Sequence, residues 1–459
     1  MTTSITLQIH HDGTWHDAAT VELRNSQGGI RSPSSCAYDM DYYFNSAAAD
    51  FADGHRTDDH RALSINYPVD LEVRSRPHWP AFMLDYLPQG RARERLAKHI
   101  GETTPEAASF DIKLLLRTAG SPIGNVRVKE AWEEEQERLK QDRFEGLTTE
   151  QVLDRSDRFR DMAERYAYLA SGSSGVQGEW PKILMTRAAD GLWYPDPVVR
   201  DEEAREHTIV KMSKAERDVD QVILASEPSY LEVARLLGLR VALPLRFQGD
   251  TLMIPRFDRE VEPAVQAEGL ARNAVVRHGQ ESLASAIGAA EFGHLASHEQ
   301  YISVLASRAS DPRAEIVEYV KRDVLNWAMG NTDNHGRNTA LQKRNDGWIG
   351  LTPLYDFAPM ALDPRVIGRS TNWKCLRGKG FPIDWSVICS TVGDIAGDAE
   401  LPARIAAELH GMADTVARLP RIARDAGVSQ AVIDQALRGH GDVAEGLAAL
   451  KSFMASGRP

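Results

Sequence analysis

The chain of 459 residues has no long hydrophobic run and few cysteines. No apolar stretch approaches the ~20 residues that a membrane-spanning helix needs, and Met1 opens into polar sequence without a signal peptide. The three cysteines, Cys36, Cys375 and Cys389, form no C-x-x-C pair, so we expect reduced thiols and no zinc site. These absences favour a cytoplasmic protein that does not bind membranes.

Positive charge is also in deficit. The sequence has 54 Lys and Arg against 66 Asp and Glu, a net charge of −12. Tight binding of nucleic acid regardless of sequence requires many basic side chains that face phosphates. We therefore expect the isolated chain not to bind DNA directly. A hydrophobic content of 42% is enough for two or three domains with their own cores.

Several well-known chemical motifs are missing. The sequence has neither the Walker A pattern G-x4-G-K-[ST] nor the triplet H-R-D, which excludes a P-loop NTPase and an ordinary eukaryotic-type kinase. It also lacks the hydrolase pattern G-x-S-x-G. His294 and His298 stand four residues apart, but they lack the internal glutamate and the third ligand of a zinc motif.

One polar segment does carry a chemical pattern. Residues 331–338 contain Asp333 and Asn338 in a D-x4-N arrangement, and Asp356 follows in a Tyr-Asp-Phe triplet. In phosphoryl-transfer enzymes such an aspartate acts as a base, while the asparagine and the later aspartate hold Mg²⁺. Their oxygens suit this hard cation. Turns use the same residue types, so the prediction depends on matching parts upstream.

The sequence around this segment indicates how its residues meet. Ile316, Val320, Val324 and Ala328 recur every four residues and predict a helix that anchors the segment in a core. Residues 339–342 and 348–351 read as two strands joined by a turn with Asp346-Gly347. Because a hairpin brings its ends together, we expect Asn338 and Asp356 to reach one ion.

Matching parts lie upstream in the expected order. Residues 171–178 form a loop of small residues whose backbone N–H groups could cradle phosphates; a plain linker is the alternative. Residues 207–211 form a β-branched run that ends in Lys211, as expected of a lysine that pairs with nucleotide phosphates. Glu227 or Glu232 would orient Lys211. Position favours Glu227, although helix capping explains a glutamate there equally well.

The sequence resembles the HipA family of bacterial toxin kinases over roughly residues 84–364. The segments that carry the resemblance are Ser174-Gly175-Val176-Gln177, Ile209-Val210-Lys211, Arg256-Phe257-Asp258-Arg259, Gly330-Asn331-Thr332-Asp333-Asn334-His335 with Asn338, and Leu351-Thr352-Pro353-Leu354-Tyr355-Asp356. The resemblance implies an α+β, two-lobed, protein-kinase-like (HipA-like) fold with a β-rich N-terminal subdomain and an α-helical C-terminal lobe.

The resemblance also implies roles for individual residues. Asp333 would be the catalytic base and Lys211 would contact the phosphates of ATP, with Mg²⁺ held by Asn338 and Asp356. His335 and Tyr355 would line the nucleotide site. Arg256 and Phe257 would contact adenine, largely through their backbone. The phosphate loop would contribute Ser173, Ser174, Gly175 and Val176.

The phosphate loop would also carry an inhibitory autophosphorylation site. Gly172 aligns with the position where a family member often has its phosphorylated serine, and residues 178–180 are an insertion. Ser173 or Ser174 could take that role. Two alternatives therefore stay open: the loop is autophosphorylated at one of these serines, or it is not autophosphorylated.

We predict three regions: a β-rich subdomain over 1–128, a kinase N-lobe-like region over 129–260 and a mainly helical lobe over 261–459. The first region should close with a helix over 80–100. The charged stretch 130–168 should form two solvated helices, with Thr148-x-x-Gln151 as a capping box. From about residue 385 onward the pattern predicts packed helices.

Taken together, these patterns predict an ATP-dependent serine/threonine protein kinase. The resemblance implies a toxin that phosphorylates a translation-related protein such as an aminoacyl-tRNA synthetase. It also implies a HipB-like helix-turn-helix antitoxin on a separate chain, through which DNA would be contacted indirectly. Two alternatives stay open: a small-molecule or lipid phosphotransferase of the same fold, and a nucleotide-binding regulatory module without catalysis. The intact set of Lys211, Asp333, Asn338 and Asp356 argues against the second alternative.

Overall fold

The computed structural model describes residues 2–46, 56–170, 182–213, 217–262, 274–365, 367–378 and 382–455. The chain forms two compact units. The first unit comprises Met1–Ser213, Leu243–Gly293 and Gln342–Trp348, and the second comprises Lys214–Ala242, His294–Leu341 and Ile349–Pro459. Each unit is therefore built from separate stretches of sequence. The three predicted regions remain a prediction.

The β-strands of the described residues, in chain order, are β1 (Thr2–His11), β2 (Thr14–Arg24), β3 (Ser34–Tyr38), β4 (Arg74–Arg76), β5 (Val126–Val128), β6 (Lys182–Ala188), β7 (Trp193–Pro195), β8 (Ala204–Met212), β9 (Arg246–Gln248), β10 (Thr251–Pro255), β11 (Arg259–Glu262), β12 (Ala274–Arg277), β13 (Gly279–Ser282), β14 (Ala340–Lys343) and β15 (Ile349–Leu351).

The α-helices, again in chain order, are α1 (Met40–Ser46), α2 (Gly90–His99), α3 (Phe110–Thr118), α4 (Lys129–Leu139), α5 (Thr149–Leu153), α6 (Asp157–Ala170), α7 (Asp218–Leu236), α8 (Leu283–Ala286), α9 (His298–Arg308), α10 (Pro312–Ala328), α11 (Trp385–Ala396), α12 (Leu401–Ala417), α13 (Leu419–Asp425), α14 (Gln430–Ala436), α15 (His440–Ala448) and α16 (Leu450–Ala455).

The first unit contains two five-stranded sheets. One has the order β4-β3-β2-β1-β5 and the other has the order β7-β6-β8-β10-β9. In the second sheet β8 lies in the middle and pairs antiparallel with both β6 and β10. The alternation of side chains in β1 buries Ile5, Leu7 and Ile9, as expected for a strand that covers a core.

The second unit is mainly helical. The predicted stripe of α10 is confirmed, because the side chains of Ile316, Val320, Val324 and Ala328 are fully buried. The later helices α11–α16 also pack together as predicted, with Ile405, Leu409, Met412 and Val416 of α12 inside. This packing gives α10 a fixed position, and the polar segment begins at its C-terminal end.

Two predictions of secondary structure are wrong in detail. The helix expected over 80–100 is instead a 3-10 helix, Ala81–Tyr86, followed by α2, because Pro88 and Gly90, whose φ is +51°, interrupt it. The charged stretch forms three helices rather than two, α4, α5 and α6. The capping box at Thr148 is confirmed. Among the described residues, no helix is long and apolar enough to cross a membrane.

Glu135 on α4 gives the stability of the protein a testable dependence on pH. Its carboxyl is buried and accepts a hydrogen bond from the Ser121 hydroxyl at 2.6 Å. Burial raises the pKa of Glu135 to about 7. As the pH rises above 4.5, the unfolded chain ionises at this residue while the folded chain stays protonated, so stability falls until the pH passes about 7.

The variant Glu135→Gln should lack this loss. Between about pH 5 and about pH 8 its free energy of unfolding should gain about 2 kcal/mol relative to the wild type. Urea unfolding at both pH values measures the difference. Glu133→Gln, an exposed position on the same helix, is the matched control. Parallel pH profiles of the unfolding free energy for wild type and Glu135→Gln would show that Glu135 does not cause this pH dependence.

Candidate active site

The polar segment begins where α10 ends. The helix starts with Asp311 as its cap, whose carboxylate accepts the Ala314 N–H at 3.0 Å, followed by Pro312 in the first turn. At the other end, Gly330 has φ +66°, and a Cβ there would lie 2.5 Å from the carbonyl oxygen of Ala436. Only glycine fits this turn, which directs residues 331–338 away from the helix.

Hydrogen bonds close this segment on itself. The Asn338 side-chain amide donates to the carbonyl of Asp333 at 3.0 Å and to its carboxylate at 3.3 Å. The Asn338 N–H donates to the carbonyl of His335 at 2.9 Å. The His335 Nε2 atom lies 3.5 Å from the Asp333 carboxylate. The Asp333 carboxylate thus lies between an amide and an imidazole, and its orientation is constrained by both.

The predicted hairpin places Asp356. Strands β14 and β15 match the prediction, and within the second unit the Thr352 N–H donates to the carbonyl of Ala340 at 2.9 Å. Just beyond β15, Phe357 is fully buried, with its ring centroid 5.5 Å from that of Tyr230. Asp356 itself has φ +50°, the left-handed region that a non-glycine residue rarely adopts. The backbone is therefore held at Asp356 in an unfavourable conformation.

Asp333, Asn338 and Asp356 line one cleft of the second unit. The structure thus brings together the predicted base and both predicted metal ligands. Among the described residues no group of three or more His, Cys, Asp or Glu side chains could hold a metal ion. The amide oxygen of Asn338 and the carboxylate of Asp356 are ligands of the kind that Mg²⁺ accepts, and waters or phosphate oxygens would complete its coordination.

Tyr355 and His335 differ in their positions. Tyr355 lines the same cleft, and its hydroxyl donates to the carbonyl of Arg337 at 3.0 Å. The side chain of His335 is 40% exposed and contacts Asp333. A role for either residue in binding a nucleotide stays a prediction.

Lys211 is buried in the first unit, in the middle strand β8, where Lys182 of β6 and Leu252 of β10 are its cross-strand partners. In the second unit, Glu227 is buried in α7, whereas Glu232 is partly exposed and pairs with Arg235. Because α7 begins at Asp218, Glu227 lies in the helix interior, so capping does not explain it. Burial favours Glu227 over Glu232 as a functional candidate.

Arg256 is fully buried in the first unit and pairs with Asp258 and Asp196. Burial favours the neutral form of Asp258, but the charge of Arg256 outweighs it and lowers the pKa of Asp258 to about 2. The backbone N–H of Arg256 donates to the carbonyl of His207. The carbonyl of Phe257 accepts a hydrogen bond from the side-chain amide of Gln342 at 2.6 Å. These two backbone groups therefore already have partners within the protein. Ser173, Ser174, Gly175 and Val176 lie outside the described residues.

The sequence did not lead us to Asp323, a buried charged residue near the cleft. Asp323 lines the cleft and lies three residues after Val320, on the apolar side of α10. A carboxylate on a buried helix face needs partners, so its position within the apolar stripe was the signal that could have identified it.

A family model described as the HipA-like C-terminal domain matches residues 174–418, more than half of the chain. The chain belongs to this family. The membership of the HipA family that was predicted from the sequence is confirmed. The search of curated proteins returned no match.

Among solved structures, the chain is similar to HipA of Shewanella oneidensis MR-1, solved as a toxin-antitoxin complex with HipB and operator DNA, with a TM-score of 0.60 and 15% identity over 99% of each chain. It also matches the Helicobacter pylori proinflammatory kinase CtkA with 12% identity over 53% of this chain and 92% of that one, but the TM-score of 0.30 is too low to support an argument. The predicted HipA-like α+β fold, with a β-rich N-terminal region and a helical C-terminal region, is confirmed.

The conformation of Asp356 yields a prediction about stability. Alanine at φ +50° would keep the steric cost of a left-handed residue, whereas glycine would not. Asp356→Gly should therefore be about 1 kcal/mol more stable than Asp356→Ala. Both variants lose the carboxylate, so the comparison isolates the backbone. Urea denaturation measures the difference, and an alanine variant as stable as the glycine variant would contradict the strained conformation.

Proposed function

We propose that this chain is an ATP-dependent serine/threonine protein kinase that acts as the toxin of a HipA/HipB-like module. The observation that carries the proposal is the convergence of Asp333, Asn338 and Asp356 on one cleft. Membership of the HipA-like family supports it. The three side chains supply one candidate base and two oxygen ligands for Mg²⁺, which is the set that phosphoryl transfer needs.

In the proposed mechanism, ATP donates its γ-phosphoryl group to the acceptor hydroxyl and ADP leaves. The Oδ1 oxygen of Asn338 and the carboxylate of Asp356 would hold Mg²⁺, which would offset the charge that develops during transfer. The Asp333 carboxylate accepts the proton of the acceptor hydroxyl, and the Asn338 amide and His335 keep it oriented. Lys211 contacts the nucleotide phosphates. Positioning and electrostatic stabilisation therefore do most of the work.

The proposal includes partners. A HipB-like helix-turn-helix antitoxin on a separate chain would contact DNA, which fits the net charge of −12 on this chain. The acceptor would be a serine or threonine of a translation-related protein such as an aminoacyl-tRNA synthetase. Autophosphorylation would occur at Ser173 or Ser174.

The decisive experiment incubates the purified chain with Mg²⁺ and γ-labelled ATP in a cell lysate. The wild type should label proteins, and Asp333→Asn should reduce that labelling at least ~100-fold, because the loss of a general base removes at least this much rate. Asp346→Asn is the matched control, since this aspartate is exposed at the turn of the same hairpin.

Equal labelling by the wild type and Asp333→Asn would show that Asp333 is not the base. Label that appears only in small metabolites or lipids would replace the protein kinase by a phosphotransferase of the same fold. Binding of ATP without any transfer would instead favour a regulatory module.

A magnesium titration separates the proposed base, Asp333, from the proposed metal ligands, Asn338 and Asp356. Asn338→Ala and Asp356→Asn should raise the Mg²⁺ concentration for half-maximal activity by ~10-fold or more, because each removes an oxygen or a charge from the proposed ligand set. Asp333→Asn should lower turnover and leave the Mg²⁺ requirement unchanged. An unchanged requirement in both Asn338→Ala and Asp356→Asn would remove their role as ligands.

A further inference from the structure

A buried carboxylate fixes the anchored stretch, by which we mean residues 369–373. The Asp323 carboxylate accepts hydrogen bonds from the Arg369 guanidinium and from the Trp373 indole, the latter at 2.9 Å. His298 Nε2 lies 3.6 Å from it. Burial favours the neutral form of Asp323, but its electrostatic interactions with His298 and Arg369 and the hydrogen bond from the indole lower its pKa. One ionised side chain therefore holds both ends of the anchored stretch.

Asn334 holds the middle of the anchored stretch. Its Oδ1 oxygen accepts the N–H groups of Ser370 at 3.1 Å and Thr371 at 3.2 Å. Its Nδ2 group donates to the carbonyl of Thr371 at 2.8 Å. Asn334 follows Asp333 directly in the chain, so the residue beside the proposed base is bound to the anchored stretch by three hydrogen bonds.

Aromatic contacts shield these polar groups from water. The rings of His298 and Trp373 stack with centroids 4.6 Å apart, and the Arg369 guanidinium lies 4.1 Å from the centre of the Trp327 ring. The side chain of Arg369 is 10% exposed and that of Asp323 is 2% exposed. Because charges interact more strongly away from water, this pairing should keep the anchored stretch in one conformation.

We propose that Asp323, Asn334 and Arg369 are positioning residues that hold the anchored stretch as a preformed docking surface for the phospho-acceptor. The inference rests on the proposed function. The anchored stretch follows Asp356 in the chain and is hydrogen-bonded to Asn334, the neighbour of the proposed base, so an acceptor bound on it would lie near Asp333. Asn372 in this stretch and Lys374 just after it are exposed.

The same arrangement has a consequence for regulation. Some kinases order their activation segment only after phosphorylation, when a phosphate pairs with arginine. In this chain the permanent carboxylate of Asp323 pairs with Arg369 instead. The anchored stretch therefore needs no modification to become ordered.

The first part of the test measures the hydrogen bonds between Asn334 and the anchored stretch, without any catalysis. In hydrogen–deuterium exchange, the Ser370 and Thr371 amides of Asn334→Ala should exchange at least ~10-fold faster than those of the wild type, because each loses its acceptor. Asn334→Asp keeps an acceptor oxygen and should protect both amides. Thermal unfolding of each variant confirms that the chain is folded.

The second part measures catalysis with γ-labelled ATP, Mg²⁺ and dephosphorylated casein as the acceptor. Asn334→Ala and Arg369→Gln should raise the acceptor KM by ~10-fold or more, the loss expected from one or two hydrogen bonds. Their affinity for a fluorescent ATP analogue should stay within about twofold of the wild type. Asn334→Asp keeps the acceptor for both N–H groups but loses the donor to Thr371, so its acceptor KM should lie between those of the wild type and Asn334→Ala. Arg404→Gln, an exposed arginine on α12, is the matched control.

The outcomes separate this inference from the proposed function. Faster exchange in Asn334→Ala with an unchanged acceptor KM would overturn the docking role and leave the kinase intact, as would unchanged exchange. Nucleotide affinity that falls together with acceptor affinity would indicate a merely structural role and would also overturn it. A wild type that labels neither casein nor lysate proteins would instead contradict the proposed function.

Discussion

The buried stripe of α10 is the constraint on which the rest of the candidate site depends. Each fully buried apolar side chain on this helix stabilises the protein by roughly 2 kcal/mol, and together these contacts fix the position and direction of the helix. Its end fixes the polar segment, since Gly330 has no room for a side chain against Ala436. A loop of Asn, Asp and Gly would otherwise be mobile in water, and a loosely held carboxylate is a poor base because proton transfer needs fixed geometry.

Part of this arrangement follows from the sequence. The four-residue spacing on α10, the turn residues of the β14–β15 hairpin and the β-branched run of β8 each predict their element correctly. These patterns are local, and neighbouring residues decide them. The convergence of Asn338 and Asp356 was also predictable, because the hairpin between them is a local structure. The motif segments identify the family for the same reason, since most of each motif lies within a few consecutive residues.

The failures of sequence-based prediction have a different physical origin. The helix expected over 80–100 is interrupted because Pro88 and Gly90 outweigh a favourable apolar pattern. The charged stretch 130–168 is more than a solvated surface, since Phe159, Met162 and Tyr166 on α6 are buried. The backbone contact of Arg256 with a nucleotide stays a prediction, but the sequence did not indicate that its guanidinium pairs with Asp196 and Asp258. The burial on α6 and the ion pairs of Arg256 depend on contacts between residues far apart in the chain, which no local pattern encodes, whereas the interruption at Pro88 and Gly90 is local.

Asp323 shows how a violation of a simple rule can indicate function. Burying a carboxylate is costly, and well-packed apolar groups often replace a buried ion pair without loss of stability. Stability alone therefore does not explain an aspartate on the apolar face of α10. Both of its hydrogen-bond donors, Arg369 and Trp373, belong to one short stretch, and Asn334, which lies next to Asp333, binds the residues between them. A residue that costs stability in order to order one specific stretch beside the proposed base is better explained by the geometry of acceptor binding than by folding.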